Sequence, residues 1–319
     1  MLVELSYREK LMLLANTEAA VKAWETRKAN GWTPKEREEK QRRVPASKPE
    51  TKASGRKVRE MREPTAKELA ALKGIVPPAG TNVLVPVESD TGLLATWVDE
   101  KGRTQPRYSA EHSAKKNAEK FSRVKEFNKA LPDIRKTIEA DMKNGDEAAS
   151  VLYVIDKTGF RPGGDSDTGG DVKAYGASTL KAEHVKVDGN SVSFSFTGKS
   201  GVTIEKTVED AKLAKMIGKR AAAGGDLFPN VNEGSMRKYL KETAGDFKVK
   251  DFRTWHGTAQ AIKAMKGMPK PKTDAQFKKA QREVSKVVAA YLGNTPTVAK
   301  KSYIDPTVWG IWEAKRASK

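Results

Sequence analysis

Apolar residues recur at helical spacing over most of the chain and alternate over two shorter stretches. Across residues 2–29, Leu5, Leu11, Leu14, Val21 and Trp24 fall near a 3.6-residue period and Asn30-Gly31 supplies a stop, which predicts an amphipathic helix. Thr33-Pro34-Lys35-Glu36 has the form of a capping box with proline at the first helical position, and predicts a second helix. Residues 42–64 hold almost nothing to bury and read as a Pro-, Ser- and Lys-rich linker. A short capped helix from Thr65 follows. Alternation in TNVLVPVES and LLATWVDEKGRTQPRY, with turns at Asp90–Gly92 and Lys101-Gly102, then predicts a small antiparallel sheet up to about Tyr108.

From Ser109 to about Met142 the stripe Phe121, Val124, Phe127, Leu131, Ile134 and Ile138 predicts a long helix with a basic outer face. Beyond residue 145 the pattern is mainly helical, with helices expected over 208–220, 234–244 and 254–266. Two features interrupt it: a Gly/Asp loop over 163–171 and a hairpin turning at Asp188-Gly189-Asn190. The clearest helix runs from Asp274 to Tyr291, where Phe277, Ala280, Val284, Val287, Val288 and Tyr291 form one stripe closed by Gly293. The fold class expected is α+β. Its parts are a basic helical extension and linker (1–63), a small β-rich module (64–108) and a larger, mainly helical domain (109–319).

Charge adds a partner to this picture. Sixty Lys and Arg against 41 Asp and Glu leave a formal charge of +19 over 319 residues, the kind of excess that replaces counterions on a polyanion. The absence of cysteine excludes disulfides, thiolate metal sites and a cysteine nucleophile. Glu4, Arg8, Glu9 and Lys10 break any apolar run at the N-terminus, and no stretch is long and apolar enough to span a membrane, so a soluble, cytoplasmic protein is expected.

Two tempting motifs fail on spacing. Gly198-Lys199-Ser200 ends like a phosphate-binding loop, but Ser193 stands where that loop needs glycine, and the lysine sits on a hairpin. Asp165, Asp167, Gly170 and Asp171 resemble a calcium loop, yet Gly169 and Gly176 occupy ligand positions. His112, His184 and His256 lack ligand spacing, so no metal or cofactor is expected. What remains is a series of polar residues at element boundaries. Arg161 stands in KTGFRPGG, Lys199 in FTGKSG, Lys250 and Arg253 in KVKDFRTWHGTA at a helix start, and Asn294 in LGNTPTVAKKSYIDP nine residues before Tyr303.

In that order and context the sequence resembles the small type IB DNA topoisomerases of poxviruses and bacteria. The resemblance runs from about residue 65 to 312 and includes VPPAGTNVLV, ATWVDEKGRTQPRY, KFSRVKEFNKALPDIR and YGASTLKAEHVKV besides the boundary motifs. It implies the tyrosine recombinase/topoisomerase IB fold, closing as a C-shaped clamp on duplex DNA. It also implies relaxation of supercoils through a 3′-phosphotyrosyl intermediate, without metal or ATP, by a monomer. Carried over by motif, Tyr303 is the nucleophile, Arg161 and Arg253 clamp the scissile phosphate, Lys199 protonates the leaving oxygen, and Lys250 is the basic residue before the second arginine. Asn294 stands where poxvirus enzymes have histidine. Gln105 and Tyr108 are implied DNA contacts, and Lys300 and Lys301 are expected phosphate anchors. Pro106 replaces a family tyrosine and the loop after Arg161 lacks another, which implies altered site preference. The extension is expected to add DNA affinity or to contact a partner. A tyrosine recombinase or integrase shares the Arg, Lys, Arg, Tyr order, but its box around the second arginine contains histidine. A non-enzymatic DNA-binding protein has no use for Tyr303 and Lys199 beside both arginines.

Overall fold

The computed structural model describes residues 60–77, 80–88, 92–100, 102–164 and 173–313. The chain separates into Met1–Val58 and Arg59–Lys319, and the two expected helices of the extension and the Asp165–Asp171 loop lie outside the described residues.

The small module is an antiparallel sheet in the order β1 (Met61–Arg62), β2 (Thr81–Pro86), β3 (Leu93–Val98), β4 (Thr104–Tyr108). The linker expected over 42–64 therefore ends early, because Met61 and Arg62 pair with Pro86 and Val85. A strand this short carries no periodic signal of its own, and its ladder partner supplies the order. Thr65 caps helix α1 (Ala66–Ala71) through a complete capping box with Glu68. Alternation in β3 puts Leu93, Ala95 and Trp97 inside. Pro106 lies in β4 at the sheet edge, where a missing N–H leaves no ladder bond unmade.

Helix α2 (Ala110–Lys143) buries the predicted stripe and adds Met142. It packs on α3 (Glu147–Thr158), a helix buried nearly all round, and on α6 (Val249–Lys266). The polar segment 185–209 is a three-stranded antiparallel meander rather than one hairpin: β5 (Val185–Asp188), β6 (Ser191–Thr197) and β7 (Thr203–Glu209). Val208 and Glu209 continue β7, so the helix expected from 208 begins only after Asp210, whose carboxylate caps α4 (Ala211–Ala221). Helix α5 (Glu233–Ala244) follows. Helix α7 (Asp274–Leu292) matches its predicted span closely, but Val287 faces solvent while Ser285, Ala289 and Leu292 take buried positions. Helix α8 (Pro296–Ser302) precedes a 3-10 turn (Pro306–Trp309) and α9 (Gly310–Glu313).

The architecture is mixed, mainly helical with small antiparallel sheets, and is α+β. The helical part has two cores. One joins α2–α5, the meander and the start of α6; the other joins the end of α6 with α7, α8, Trp309 and Trp312. Helix α6 passes from one to the other. No helix among the described residues is long and apolar enough to cross a membrane.

Candidate active site

At the seam between the cores two helices end. Helix α3 stops at Gly159 (φ 69°) and α7 at Gly293 (φ 61°), both in the left-handed conformation that glycine adopts without steric cost. The last carbonyls of a helix have no intrahelical partner and carry its negative dipole end. Arg253, only 2% exposed, satisfies both ends: one guanidinium nitrogen donates to Gly159 O and another to Leu292 O at 2.9 Å. Arg161, two residues beyond the α3 stop, donates to Gly293 O at 3.3 Å and to Asn294 Oδ1 at 2.5 Å. Arg161, Arg253 and Asn294 thus form one cluster.

Tyr303 reaches the same cluster from α8. Its ring centroid lies 5.2 Å from the Arg253 guanidinium carbon. Thr258 Oγ1 donates to Tyr303 O at 3.2 Å and accepts from Asp305 N at 3.1 Å, so α6 grips the chain on both sides of Ile304. Gly257 makes that approach possible, since a Cβ there would stand 2.5 Å from Tyr303 O and 2.7 Å from Tyr303 Cβ. On the other side Lys120 Nζ, from α2, donates to Ser302 O at 2.9 Å and so meets a terminal carbonyl of the tyrosine's own helix.

The electrostatics are those of crowded cations. Burial pulls the Arg253 guanidinium below its ordinary pKa; Tyr303 opposes that shift and Arg161 adds to it. Arginine remains charged throughout. Burial, then Lys250 and Arg123, lower the Lys120 ammonium to about 8. Asp251, fully buried, accepts from Lys248 N at 2.9 Å and from Arg123 Nε and Nη2 at 2.8 and 3.0 Å, which anchors the first turn of α6 to α2. Helix α6 therefore starts at Val249 rather than 254, and Arg253 is a buried residue of its second turn, not a boundary residue. Among the described residues, two buried donors, Arg253 Nε and Asn294 Nδ2, have no acceptor. A buried donor left unpaired costs about 1–3 kcal/mol, and an anion held here would supply acceptors to both.

Other predicted residues stand apart from this cluster. Lys250 is exposed in the first turn of α6. Lys199 is exposed in the turn between β6 and β7, beside Ser200 at φ 66°, and makes no hydrogen bond or ion pair among the described residues. Gln105 Nε2 donates to Asp99 Oδ2 at 2.9 Å, Tyr108 stacks on His112 at 4.8 Å, and Lys300 donates to Gln281 Oε1 at 2.8 Å. Lys301 is exposed. Residues the sequence reading passed over include Gly257, Thr258 and Lys120. Only Gly257 carried a sequence signal, a glycine inside a helical stretch between the arginine and the next apolar turn.

Residues 109–308 match the family model of the eukaryotic DNA topoisomerase I catalytic core. The chain belongs to the DNA topoisomerase I family. DNA topoisomerase 1B of Acanthamoeba polyphaga mimivirus is 28% identical over 265 residues, covering 76% of this chain and 79% of that protein. Human DNA topoisomerase 1 is 26% identical over 179 residues, 51% of this chain but only 23% of its own length. The human mitochondrial DNA topoisomerase I is 26% identical over 252 residues, 71% of this chain and 41% of the relative. The function is that of a type IB DNA topoisomerase. The topoisomerase match begins where α2 begins and ends in the turn after Tyr303, so it contains the whole Arg161, Arg253, Asn294 and Tyr303 cluster.

Proposed function

We propose that this topoisomerase cleaves one strand of duplex DNA with Tyr303 as nucleophile. The phenol gives up its proton to water, its oxygen attacks the phosphorus, the bond to the 5′-oxygen breaks, and Lys199 delivers a proton to that departing oxygen. The product is a 3′-phosphotyrosyl enzyme, and attack by the 5′-hydroxyl reverses the step, so no ATP is consumed and no metal takes part. Arg161 and Arg253 meet the charge that develops on the non-bridging oxygens, because a planar fork stays cationic and can bind two oxygens. The Asn294 amide adds a donor without a charge or a transferable proton. Lys250, exposed three residues before Arg253 on α6, is a further cation.

The observation that carries this reading is the pair of unpartnered buried donors, Arg253 Nε and Asn294 Nδ2, beside the ring of Tyr303. The rest of the reading is supported by the motif order and the family match. The sheet module, which with β1 begins at Met61 and runs to 108, and the 109–319 domain, of tyrosine recombinase type, close as a C-shaped clamp, with Gln105, Tyr108, Lys300 and Lys301 contacting DNA, chiefly its phosphates. The protein acts as a monomer in the cytoplasm, at the nucleoid or a viral replication site, and residues 1–63 add nonspecific DNA affinity or contact a partner.

The test is relaxation of positively and negatively supercoiled plasmid in EDTA without ATP, which the parent performs and Tyr303→Phe does not. Relaxation by Tyr303→Phe at the parent's rate would remove Tyr303 from the nucleophile's role.

A further inference from the structure

Strand β7 alternates cleanly, with Thr203, Glu205, Thr207 and Glu209 exposed and Ile204, Lys206 and Val208 turned inward. Lysine at an inward strand position loses hydration and needs compensating partners. Lys206 Nζ donates to Thr158 O at 2.6 Å and to Tyr291 O at 3.0 Å, and it stands 3.5 Å from the centroid of the Tyr291 ring. Thr158 is the last residue of α3, and Tyr291 is the last but one of α7.

These are the two helix ends that Arg253 also joins. Lys206 links carbonyls 158 and 291, and Arg253 links carbonyls 159 and 292. The double link sits immediately before Arg161 on one chain segment and Asn294 on the other. Packing ties β7 to the same place. A Cβ at Gly293 would lie 2.5 Å from Ile204 Cδ1, and the Phe160 ring meets Phe194 and Phe196 of β6 edge-on at 5.2 and 5.0 Å. The same strand leads directly out of the turn that carries Lys199.

We propose that Lys206 is a positioning residue for strand cleavage: it fixes the meander that carries Lys199 to the paired helix ends that carry Arg161 and Asn294, so that proton donor and phosphate clamp hold a common register. The proposal rests on the roles assigned above to those three residues. The groups facing Lys206 are Arg253 and His256 from α6, Tyr291 from α7 and the carbonyls of α3. Burial and the Arg253 charge lower the ammonium to about 8, while burial keeps His256 neutral down to about 4. Two cations tolerate this proximity because four carbonyls at the negative ends of two helices face them.

The experiment measures single-turnover formation of the covalent adduct on a suicide duplex, with either an ordinary or a 5′-thiolate leaving group. Amplitude reports the folded, competent fraction, and the rate constant reports positioning. Lys206→Met, which keeps the stem and removes the ammonium, is expected to lower the rate constant about 10- to 100-fold on the ordinary duplex and by less on the 5′-thiolate duplex, since misplacement of about 1 Å can cost that much. Religation slows in parallel, and Lys206→Arg loses less than Lys206→Met. A Lys206→Met rate constant within twofold of the parent overturns the proposal, whatever the amplitude. The 5′-thiolate, which needs no proton, is expected to restore part of the Lys206→Met rate, because the placement of Lys199 then no longer matters; an equal loss on the two duplexes would show that Lys206 does not place Lys199 and overturns the proposal. Should Lys206→Met fold too poorly to give an amplitude, Lys206→Gln is read by the same criteria. Tyr303→Phe in the same assay separates the two layers. No adduct from it, together with a parent-like Lys206→Met, removes the positioning role alone; an adduct from it removes the catalytic reading.

Discussion

Gly257→Ala is the smallest change that should move Tyr303 without removing a polar group. The added methyl would stand 2.5 Å from Tyr303 O, 2.7 Å from its Cβ and 3.0 Å from its carbonyl carbon. None of these atoms is the free end of a flexible side chain, so the strain cannot be relieved by a rotamer change. Restoring ordinary contact at about 3.5 Å requires a shift of about 1 Å between α6 and the tyrosine segment. Overpacking of this kind costs about 1–3 kcal/mol of stability, which lowers Tm by roughly 2–4 °C per kcal/mol for a unit of this size. Displacing the nucleophile by about 1 Å costs more in rate, on the order of 100-fold in the cleavage step, equivalent to about 2.7 kcal/mol of barrier. Single-turnover adduct formation on a suicide duplex measures the rate constant, and fluorescence anisotropy measures DNA affinity, which should change little because Gly257 is buried. Gly310→Ala serves as the control, because a Cβ there meets nothing within 4 Å. If Gly257→Ala cleaved within threefold of the parent, the close approach of α6 would not position Tyr303 and the reasoning would fail.

Lys199→Ala is expected to cleave ordinary DNA slowly and to recover on a duplex with a 5′-thiolate leaving group, which needs no proton; without recovery, Lys199 is not the acid. Asp251→Ala leaves Arg123 without its partner and the first turn of α6 uncapped, and should cost about 3 kcal/mol in urea unfolding, the low end for a broken buried pair because Arg123 retains some solvent access. His256, whose Nε2 bonds to Asp156 O, has its pKa lowered from the ordinary 6.5 to about 4, first by burial. The unfolded chain therefore binds a proton that the folded chain refuses between pH 6.5 and 4, so folding stability falls as pH falls through that window. His256→Gln should remove a loss on the order of 2–3 kcal/mol over that range, measured as the difference in urea midpoints between parent and variant at pH 7 and pH 4; parallel curves would show that His256 does not carry it.

Much of the fold was readable because core packing repeats. The stripe in α2 and the stripe and glycine stop of α7 are periodic, and Thr65 before Glu68 is a local capping signal. The reading failed where burial is bought with ions rather than with apolar side chains. The start of α6 looks polar because its buried residues are Asp251 and Arg253, and their partners lie on α2, α3 and α7. Met61 and Arg62 become a strand only through β2, and Val208-Glu209 stays in β7 until Asp210 caps the next helix. For the site, the ordered motifs named Arg161, Arg253, Asn294 and Tyr303, and the fold does bring these together. Lys120 and Lys206 were invisible because each acts on a main-chain carbonyl far away in sequence, and a carbonyl leaves no mark in a sequence.

That last property bears on how this centre tolerates change. The acceptors at positions 158, 159, 291 and 292 belong to the backbone, and every residue type carries one. A replacement at 158 or 292 that fits the packing leaves the acceptor in place, while Tyr291 is held also by its ring under the Lys206 ammonium; the donors at 206 and 253 have no such redundancy. Substitution at this centre is thus lopsided: a mutational scan should find that no uncharged residue replaces the donors at 206 and 253, whereas replacements of like shape at 158 and 292 keep their acceptors.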